Sequence, residues 1–325
     1  MLLAGDVGGT KVRLALFESN KKLVCKQEIK YRSRDYPDLF SLICAFLASA
    51  PKVKVTSICV GVAGPVIEGR SQETNIPWII DAKELQDALQ ISSVWVINDL
   101  EANAWGLREL DEKELVCLNQ GERKGGNRAL ISAGTGLGEA GLYWDGKAHH
   151  PFACEGGHAD FAPVDEEQVD LWHYLKRVLD HISYERILSG SGIYRIYRFL
   201  VDTGREKGEE DVEAIRVQDE PQKLITQKAL SGESQTCIRA IHLFVSIYGS
   251  EAGNLALKYL STGGVFLGGG VAPLLVSFFT ENKIFMDAFT SKGRFAHLLE
   301  NIPVYIVLND RTALLGAARY AQERQ

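Results

Sequence analysis

The chain has 325 residues, 46% hydrophobic and 24% charged, with a formal net charge of −6, which fits a globular protein long enough for two domains or lobes. No run of Lys and Arg exceeds two residues, so the electrostatic footprint of a nucleic-acid binder is missing. The six cysteines lack any CxxC pair and mostly sit in apolar runs, the pattern of reduced core residues in a cytoplasmic protein rather than of a disulfide framework or zinc site.

Leu2 to Phe17 predicts a β-hairpin. Apolar Leu2-Leu3-Ala4 and alternating Val12, Leu14 and Leu16 flank Asp6-Val7-Gly8-Gly9-Thr10, the pattern of two strands joined by a tight glycine turn. Without a Cβ, Gly8 and Gly9 are expected to allow φ > 0 and to let an anion reach backbone N–H groups. Thr10 adds a hydroxyl, and Asp6 would hold Mg²⁺ through its water shell beside a nucleotide's phosphates. An ordinary hairpin whose glycines only turn the chain fits these residues equally well. Met1-Leu2-Leu3 lacks the basic region of a signal peptide.

Lys22 to Tyr31 reads as a third strand, and Pro37 to Ala50 as a helix with Leu39, Ile43, Phe46 and Leu47 at helical spacing. That apolar stretch is too short to span a bilayer. Val53 to Val62 is a strand stopped by Ala63-Gly64-Pro65, and Asp81 to Leu89 a helix, which completes a βββαβα unit. Val94 to Ile97 is a buried strand closed by Asn98-Asp99, followed by a helix over Leu100 to Leu110. A second half begins the same way: strand Arg128 to Ser132, glycine turn Ala133-Gly134-Thr135-Gly136, strand Glu139 to Trp144. The repeat predicts two related lobes, each offering one hairpin. Glu166 to Leu179 and Tyr184 to Leu200 read as mostly helical, and Asp202 to Gln222 as an exposed connection containing a short helix. Cys237 to Leu260 reads as a helix despite Gly249 and Gly253. Val265-Phe266-Leu267 is a buried strand running into Gly268-Gly269-Gly270. Val304 to Leu308 is a strand, and Arg311 to Gln322 a helix that returns to the first lobe.

Gly136-Leu137-Gly138-Glu139-Ala140-Gly141 matches GxGxxG after a strand. A dinucleotide site needs a helix opening at the third glycine. Here Leu142-Tyr143-Trp144 and an Asp-Gly turn follow, which is hairpin chemistry. No GxxxxGK[ST] occurs either.

The Asp6 to Thr10 hairpin, the Gly134-Thr135-Gly136 hairpin and Phe266-Leu267-Gly268-Gly269-Gly270-Val271-Ala272-Pro273 together resemble the sugar kinase, actin and Hsp70 superfamily. Thr74-Asn75-Ile76-Pro77-Trp78, Ile97-Asn98-Asp99-Leu100-Glu101-Ala102, Glu155-Gly156-Gly157-His158 and Glu185-Arg186-Ile187-Leu188-Ser189-Gly190 narrow the resemblance to the bacterial ATP-dependent glucokinase family, in order and nearly end to end. No cysteine cluster follows His158, so the likeness is to its zinc-free branch.

The resemblance implies a two-lobed, actin-like (ribonuclease H-like) α/β fold with βββαβα repeated and an active-site cleft between lobes. The small lobe would be residues 1–108 plus 303–325 and the large lobe 109–302. It further implies that Asp99 is the base for the sugar 6-hydroxyl, and that Asn98, Glu155, His158 and Glu185 hold the other hydroxyls with Asn75 nearby. Gly5, Asp6, Val7, Gly8, Gly9 and Thr10 would meet ATP first, Gly134, Thr135 and Gly136 second, and Gly268, Gly269 and Gly270 would support adenosine. Mg²⁺ would accompany ATP, and relatives imply a cytoplasmic homodimer in glycolysis. Carboxylates, an amide and an imidazole suit a neutral polyol, because each pairs with hydroxyls. Individually these residues have plainer readings: Asp99 as an N-cap, Glu185 as a first-turn acid, Glu155 and His158 as loop residues satisfied by backbone, and Asn309-Asp310 as a cap. The same fold would serve a kinase for mannose, fructose or an N-acetylhexosamine, and a sugar sensor without turnover is the alternative from another class.

Overall fold

In the computed structural model, residues 1–19, 22–51, 53–72, 77–122, 124–206 and 211–325 are described. Their contacts divide the chain into one unit of residues 1–112, 150–153 and 309–325 and another of residues 113–149 and 154–308.

In the first unit, β1 (Leu2–Val7) and β2 (Lys11–Ser19) pair antiparallel with Asp6 opposite Arg13. β3 (Leu23–Arg32) continues from β2, and β4 (Ser57–Val62) runs parallel to β1. A small hairpin of β5 (Arg70–Gln72) and β6 (Ile79–Asp81) precedes β7 (Val94–Asn98), which is parallel to β4. The sheet order is β3-β2-β1-β4-β7.

Both faces of this sheet are covered, which is why β1 opens on the apolar run Leu2-Leu3-Ala4 and β4 carries Ile58-Cys59-Val60 without alternation. Leu3, Val7, Leu14 and Val60 pack with Leu42, Ile43 and Phe46 of the helix Leu39–Ser49 and with Leu85 of the helix Ala82–Leu89. On the other face Leu2, Ala4, Phe17 and Cys59 meet the helices Asp99–Gly106 and Thr312–Glu323. The second of these presents Ala313, Ala317, Ala318 and Ala321. Small residues bring the two helices together: a Cβ on Gly316 would overlap the Ala102 carbonyl oxygen, and one on Gly106 the Thr312 carbonyl oxygen.

The second unit holds β8 (Leu115–Asn119), β9 (Arg128–Ala133), β10 (Leu137–Trp144), β12 (Val265–Gly268) and β13 (Val304–Val307), while residues 150–153 of β11 (His149–Cys154) fall in the first. The order β10-β9-β12-β13-β8 runs through its sheet. β10 is antiparallel to β9, while β12 is parallel to both β9 and β13. The succession β10-β9-β12-β13 therefore repeats the strand senses of β2-β1-β4-β7, so the duplication read from the two glycine hairpins exists in the topology. β13 lies in this second sheet, so the chain leaves the second unit after Leu308, later than the expected break at residue 303. Residues 137–144 form a strand with no helix opening at Gly141, which removes the dinucleotide reading.

The core of this unit is built on the helix Gln235–Tyr259. Gly249 and Gly253 are not weak points of that helix. A Cβ at either would overlap the carbonyl oxygen of Phe285 or Phe289, so their absence lets the helix Ile284–Thr290 pack against its backbone. Tyr248 is fully buried, and its hydroxyl donates to Ile131 O (3.1 Å) and accepts from Ala133 N–H (3.3 Å).

Tyr184 to Leu200 is mostly helical as expected, in two pieces: a 3₁₀ turn Tyr184–Arg186 is followed by the helix Gly190–Asp202, whose start is capped by the Ser189 hydroxyl on Gly192 N–H (3.1 Å). The connection 202–222 contains its expected short helix, Asp211–Arg216, and a further helix starts at Pro221. The cysteines differ from expectation. Of the six free cysteines only Cys59 and Cys237 are buried, and Cys44 and Cys117 are exposed. Among the described residues no helix is long and apolar enough to cross a membrane.

Candidate active site

The first glycine turn closes with Gly8 N–H donating to Lys11 O (3.0 Å). Its glycines do not serve the conformational purpose expected of them, since neither Gly8 nor Gly9 has a positive φ. Ser33, which the sequence did not flag, staples the turn: its hydroxyl donates to Gly8 O (2.7 Å) and its N–H to Thr10 O (3.2 Å). Gly5, at the centre of β1, lies so close to Val60 that a Cβ would stand 2.7 Å from Val60 Cγ1. Gly5 therefore serves strand packing.

Asp6 is the penultimate residue of β1, opposite Arg13. Burial pushes its carboxyl above the ordinary range; Arg13 pulls it back, and Asp310 adds to the rise. Arg13 is in turn held by Asp310, with Nη2 2.7 Å from Oδ2, so Asp310 is an ion-pair partner and not the cap expected of it. Asn309 does bond the helix start, its Oδ1 accepting from Arg311 N–H (2.7 Å). A half-buried carboxylate whose ionised form burial disfavours despite Arg13 gains from a nearby cation. Mg²⁺ is commonly bound by one or two carboxylates together with substrate phosphates, and Asp6 fits that role. Among the described residues no group of three His, Cys, Asp or Glu side chains is placed to hold a metal by itself.

Asn98 and Asp99 stand where β7 becomes a helix. Asn98, not Asp99, is the N-cap: its Oδ1 accepts from Leu100 N–H (2.9 Å) and Glu101 N–H (3.2 Å), while Nδ2 donates to Gly64 O (3.0 Å). Asp99 is the first helical residue, and its Oδ1 also accepts from Leu100 N–H (2.9 Å). A carboxylate there is favoured by the helix dipole. Gly61 on β4 admits this start, since a Cβ would be 2.9 Å from Ala102 Cβ. Asn75 lies outside the described residues.

In the second unit, the turn Gly134-Thr135-Gly136 follows β9, and Gly134 N–H donates to Gly136 O (2.8 Å). Glu185, on its 3₁₀ turn, accepts from Leu137 N–H at 3.1 Å through Oε2. A Cβ on Gly136 would overlap that same oxygen. Gly136 thus makes room for a carboxylate 49 positions away. Gly190 N–H donates to Gly134 O (2.9 Å), tying the following helix to the same turn.

Glu155 precedes the 3₁₀ turn Gly156–His158, which touches both β10 and the turn bearing Glu185. His158 Nε2 stands 4.0 Å from Glu155 Oε2, and both side chains are exposed. A Cβ on Gly157 would overlap Leu137 O, so this loop lies flat on the start of β10. Gly268 ends β12 opposite Ser132 of β9, and Gly269 and Gly270 follow. Gly269 has φ +77°, and a Cβ on it would overlap Ala133 O. The second unit therefore gathers Glu155, His158, Glu185 and the last two glycine segments around one end of β9 and β10. The first unit holds Asp6, the Gly8–Gly9 turn, Asn98 and Asp99.

The sequence model of the family described as Glucokinase matches residues 3–324. The glucokinase of Nostoc punctiforme is 38% identical over 334 aligned positions, covering 98% of each chain. The crystal structure of a glucokinase from an Antarctic psychrotroph superposes with a TM-score of 0.87 at 30% identity, covering 99% of this chain and 98% of the other. A ROK-family glucokinase from Streptomyces griseus, solved with glucose and AMPPNP, shares the fold at a TM-score of 0.64 and 21% identity, covering 99% of each chain.

Proposed function

This chain belongs to the glucokinase family, and we propose that it transfers the γ-phosphoryl group of ATP to the 6-hydroxyl of D-glucose, with Asp99 as the base. The observation that carries the reading is the family match from residue 3 to residue 324. The AMPPNP and glucose bound by a fold neighbour support ATP and glucose as the ligands.

Apart from its ring oxygen, glucose offers only hydroxyls. Asn98, Glu155, His158 and Glu185, with Asn75, pair with them through amide, imidazole and charge-assisted carboxylate bonds. The Asp99 carboxylate accepts the 6-hydroxyl proton as that oxygen bonds to the γ-phosphorus. The bond from that phosphorus to the bridging oxygen breaks, and ADP leaves. Phosphoryl transfer asks the protein chiefly for alignment and charge stabilisation. Leu100 N–H fixes one oxygen of Asp99, and Asn98 fixes the helix start beneath it. Gly8 and Gly134 close the two turns with their own N–H groups, which leaves the backbone N–H groups of Gly9, Thr10, Thr135 and Gly136 to receive phosphate oxygens, with Gly5 and Val7 holding the strand behind them, and Gly268 to Gly270 support adenosine. Asp6 would hold Mg²⁺, which would supply neutralisation of phosphate charge. The two units act as the two lobes of a cytoplasmic enzyme working as a homodimer.

Steady-state phosphorylation of a panel of hexoses with ATP, ADP and polyphosphate tests this. Glucose with ATP is expected to give the highest kcat/KM. A higher value for mannose, fructose or an N-acetylhexosamine would overturn the substrate, and ligand binding without ADP release would overturn the catalytic reading.

A further inference from the structure

Glu139 is a buried acid that the reaction as described does not use. It sits on β10 opposite Ile131 and is 1% exposed. Its Oε1 has no hydrogen-bond partner among the described residues, and its Oε2 occupies the space a Cβ on Gly156 would need. Gly156 immediately follows Glu155. Cys154, on the other side of Glu155, donates from Sγ to Glu139 O (3.4 Å) and lies 3.1 Å from the Tyr259 hydroxyl. The helix Gln235–Tyr259 supplies a second buried carboxylate, Glu251, 0% exposed, which accepts from Asn254 Nδ2 (2.8 Å) and Lys258 Nζ (3.3 Å). The same Asn254 amide donates to the Tyr184 hydroxyl (3.0 Å), and Tyr184 adjoins Glu185.

We propose that Glu139 is a positioning residue for the glucose site: its side chain, seated under Gly156 and beside Glu251, sets where Glu155 and His158 stand. The inference rests on the glucokinase reading, since it assumes that those two residues hold the sugar.

The groups facing Glu139 make its charge state consequential. They are Tyr248, Glu251, Lys258 and Tyr259 from the helix Gln235–Tyr259, and Cys154 beside it. Burial first, then Glu251, pushes the Glu139 carboxyl up to about 8, with Lys258 pulling it back. At neutral pH the group is therefore largely protonated, and its uncharged carboxyl lies against Gly156 without repelling Glu251. Above that pH a second negative charge enters a buried layer that already holds Glu251, with no hydrogen bond waiting for Oε1. The contact with the loop is then lost, and with it the placement of Glu155 and His158. Glucose affinity carries the effect, because the reacting groups are untouched.

The test is glucose KM and kcat across about pH 6.5 to 9.5 for the wild type, Glu139→Gln and Glu139→Ala, with ATP saturating. Wild-type KM is expected to rise severalfold by about one unit above pH 8, approaching tenfold per unit if binding requires the protonated form. Glu139→Gln keeps shape and neutrality, so its KM should match the wild type at pH 7 and stay flat above pH 8. Glu139→Ala should raise glucose KM about tenfold with kcat little changed, the signature of lost ground-state binding. An alkaline rise in Glu139→Gln equal to the wild type's, or an unchanged KM in Glu139→Ala, overturns the proposal. If Glu139→Ala fails to fold, the Glu139→Gln profile decides alone. Failure of the functional reading looks different: the wild type itself would not release ADP with glucose, or Glu155→Gln would leave glucose KM unchanged.

Discussion

Gly136 separates two explanations of a glycine in a turn. If it is there for phosphate approach, its replacement harms ATP use; if it is there to seat Glu185, replacement harms glucose use. Gly136 lies outside the positive-φ glycines, so Gly136→Ala imposes no backbone strain. The new methyl meets only the Glu185 carboxylate, the end of a flexible side chain, so the protein folds and Glu185 swings away. That breaks the bond from Leu137 N–H and removes one carboxylate from the sugar. A hydrogen bond to a charged group is worth about 1.5–3 kcal/mol, so kcat/KM for glucose should fall about 10- to 150-fold, with KM for ATP little changed. The assay is a double-mutant cycle with Glu185→Ala. Once Glu185 is gone the methyl has nothing to displace, so Gly136→Ala should cost almost nothing further. Equal losses in both backgrounds, or a loss confined to ATP, would refute the reasoning.

Two further outcomes concern stability. Glu139 holds its proton to about pH 8 when folded and releases it near the ordinary carboxylate value when unfolded. Its contribution is therefore complete below about pH 4.5 and is lost as pH rises to about 8, at up to roughly 1.4 kcal/mol per unit. Urea titrations at pH 5 and pH 8 should show that decline in the wild type but not in Glu139→Gln. Gly316→Ala forces a methyl against Ala102 O between two packed helices and should cost about 1–3 kcal/mol as overpacking, read as a lower Tm; an unchanged Tm would contradict the close helix contact.

What the sequence disclosed was periodic or local. The hairpins at Gly8 and Gly134, the apolar run of β1, the alternation along β2 and the helix over Cys237 to Leu260 all depend on neighbours within a few positions, and each element is present. What it hid depended on residues far along the chain. Gly136 answers to Glu185, and Gly249 and Gly253 to Phe285 and Phe289. Glu139 looks like an ordinary polar position in an alternating strand, and only packing against Gly156 and the helix carrying Glu251 buries it. Capping was legible in kind but not in position: Asn-Asp after β7 announced a cap, and geometry gave it to Asn98, leaving Asp99 in the first turn. For the candidate site, single residues had plainer readings, and their order within a family pattern gave them meaning. The second unit brings Glu155, His158 and Glu185 to one end of β10, a convergence no local pattern contains.

The claim most exposed to a single measurement is that Asp99 takes the sugar's proton. Asp99→Ala keeps the Asn98 cap, so the helix start should hold. Glucose binding by titration calorimetry should stay within a few-fold of the wild type, while kcat for ATP-dependent glucose phosphorylation falls at least about 10²-fold. Wild-type turnover in that variant would contradict the account.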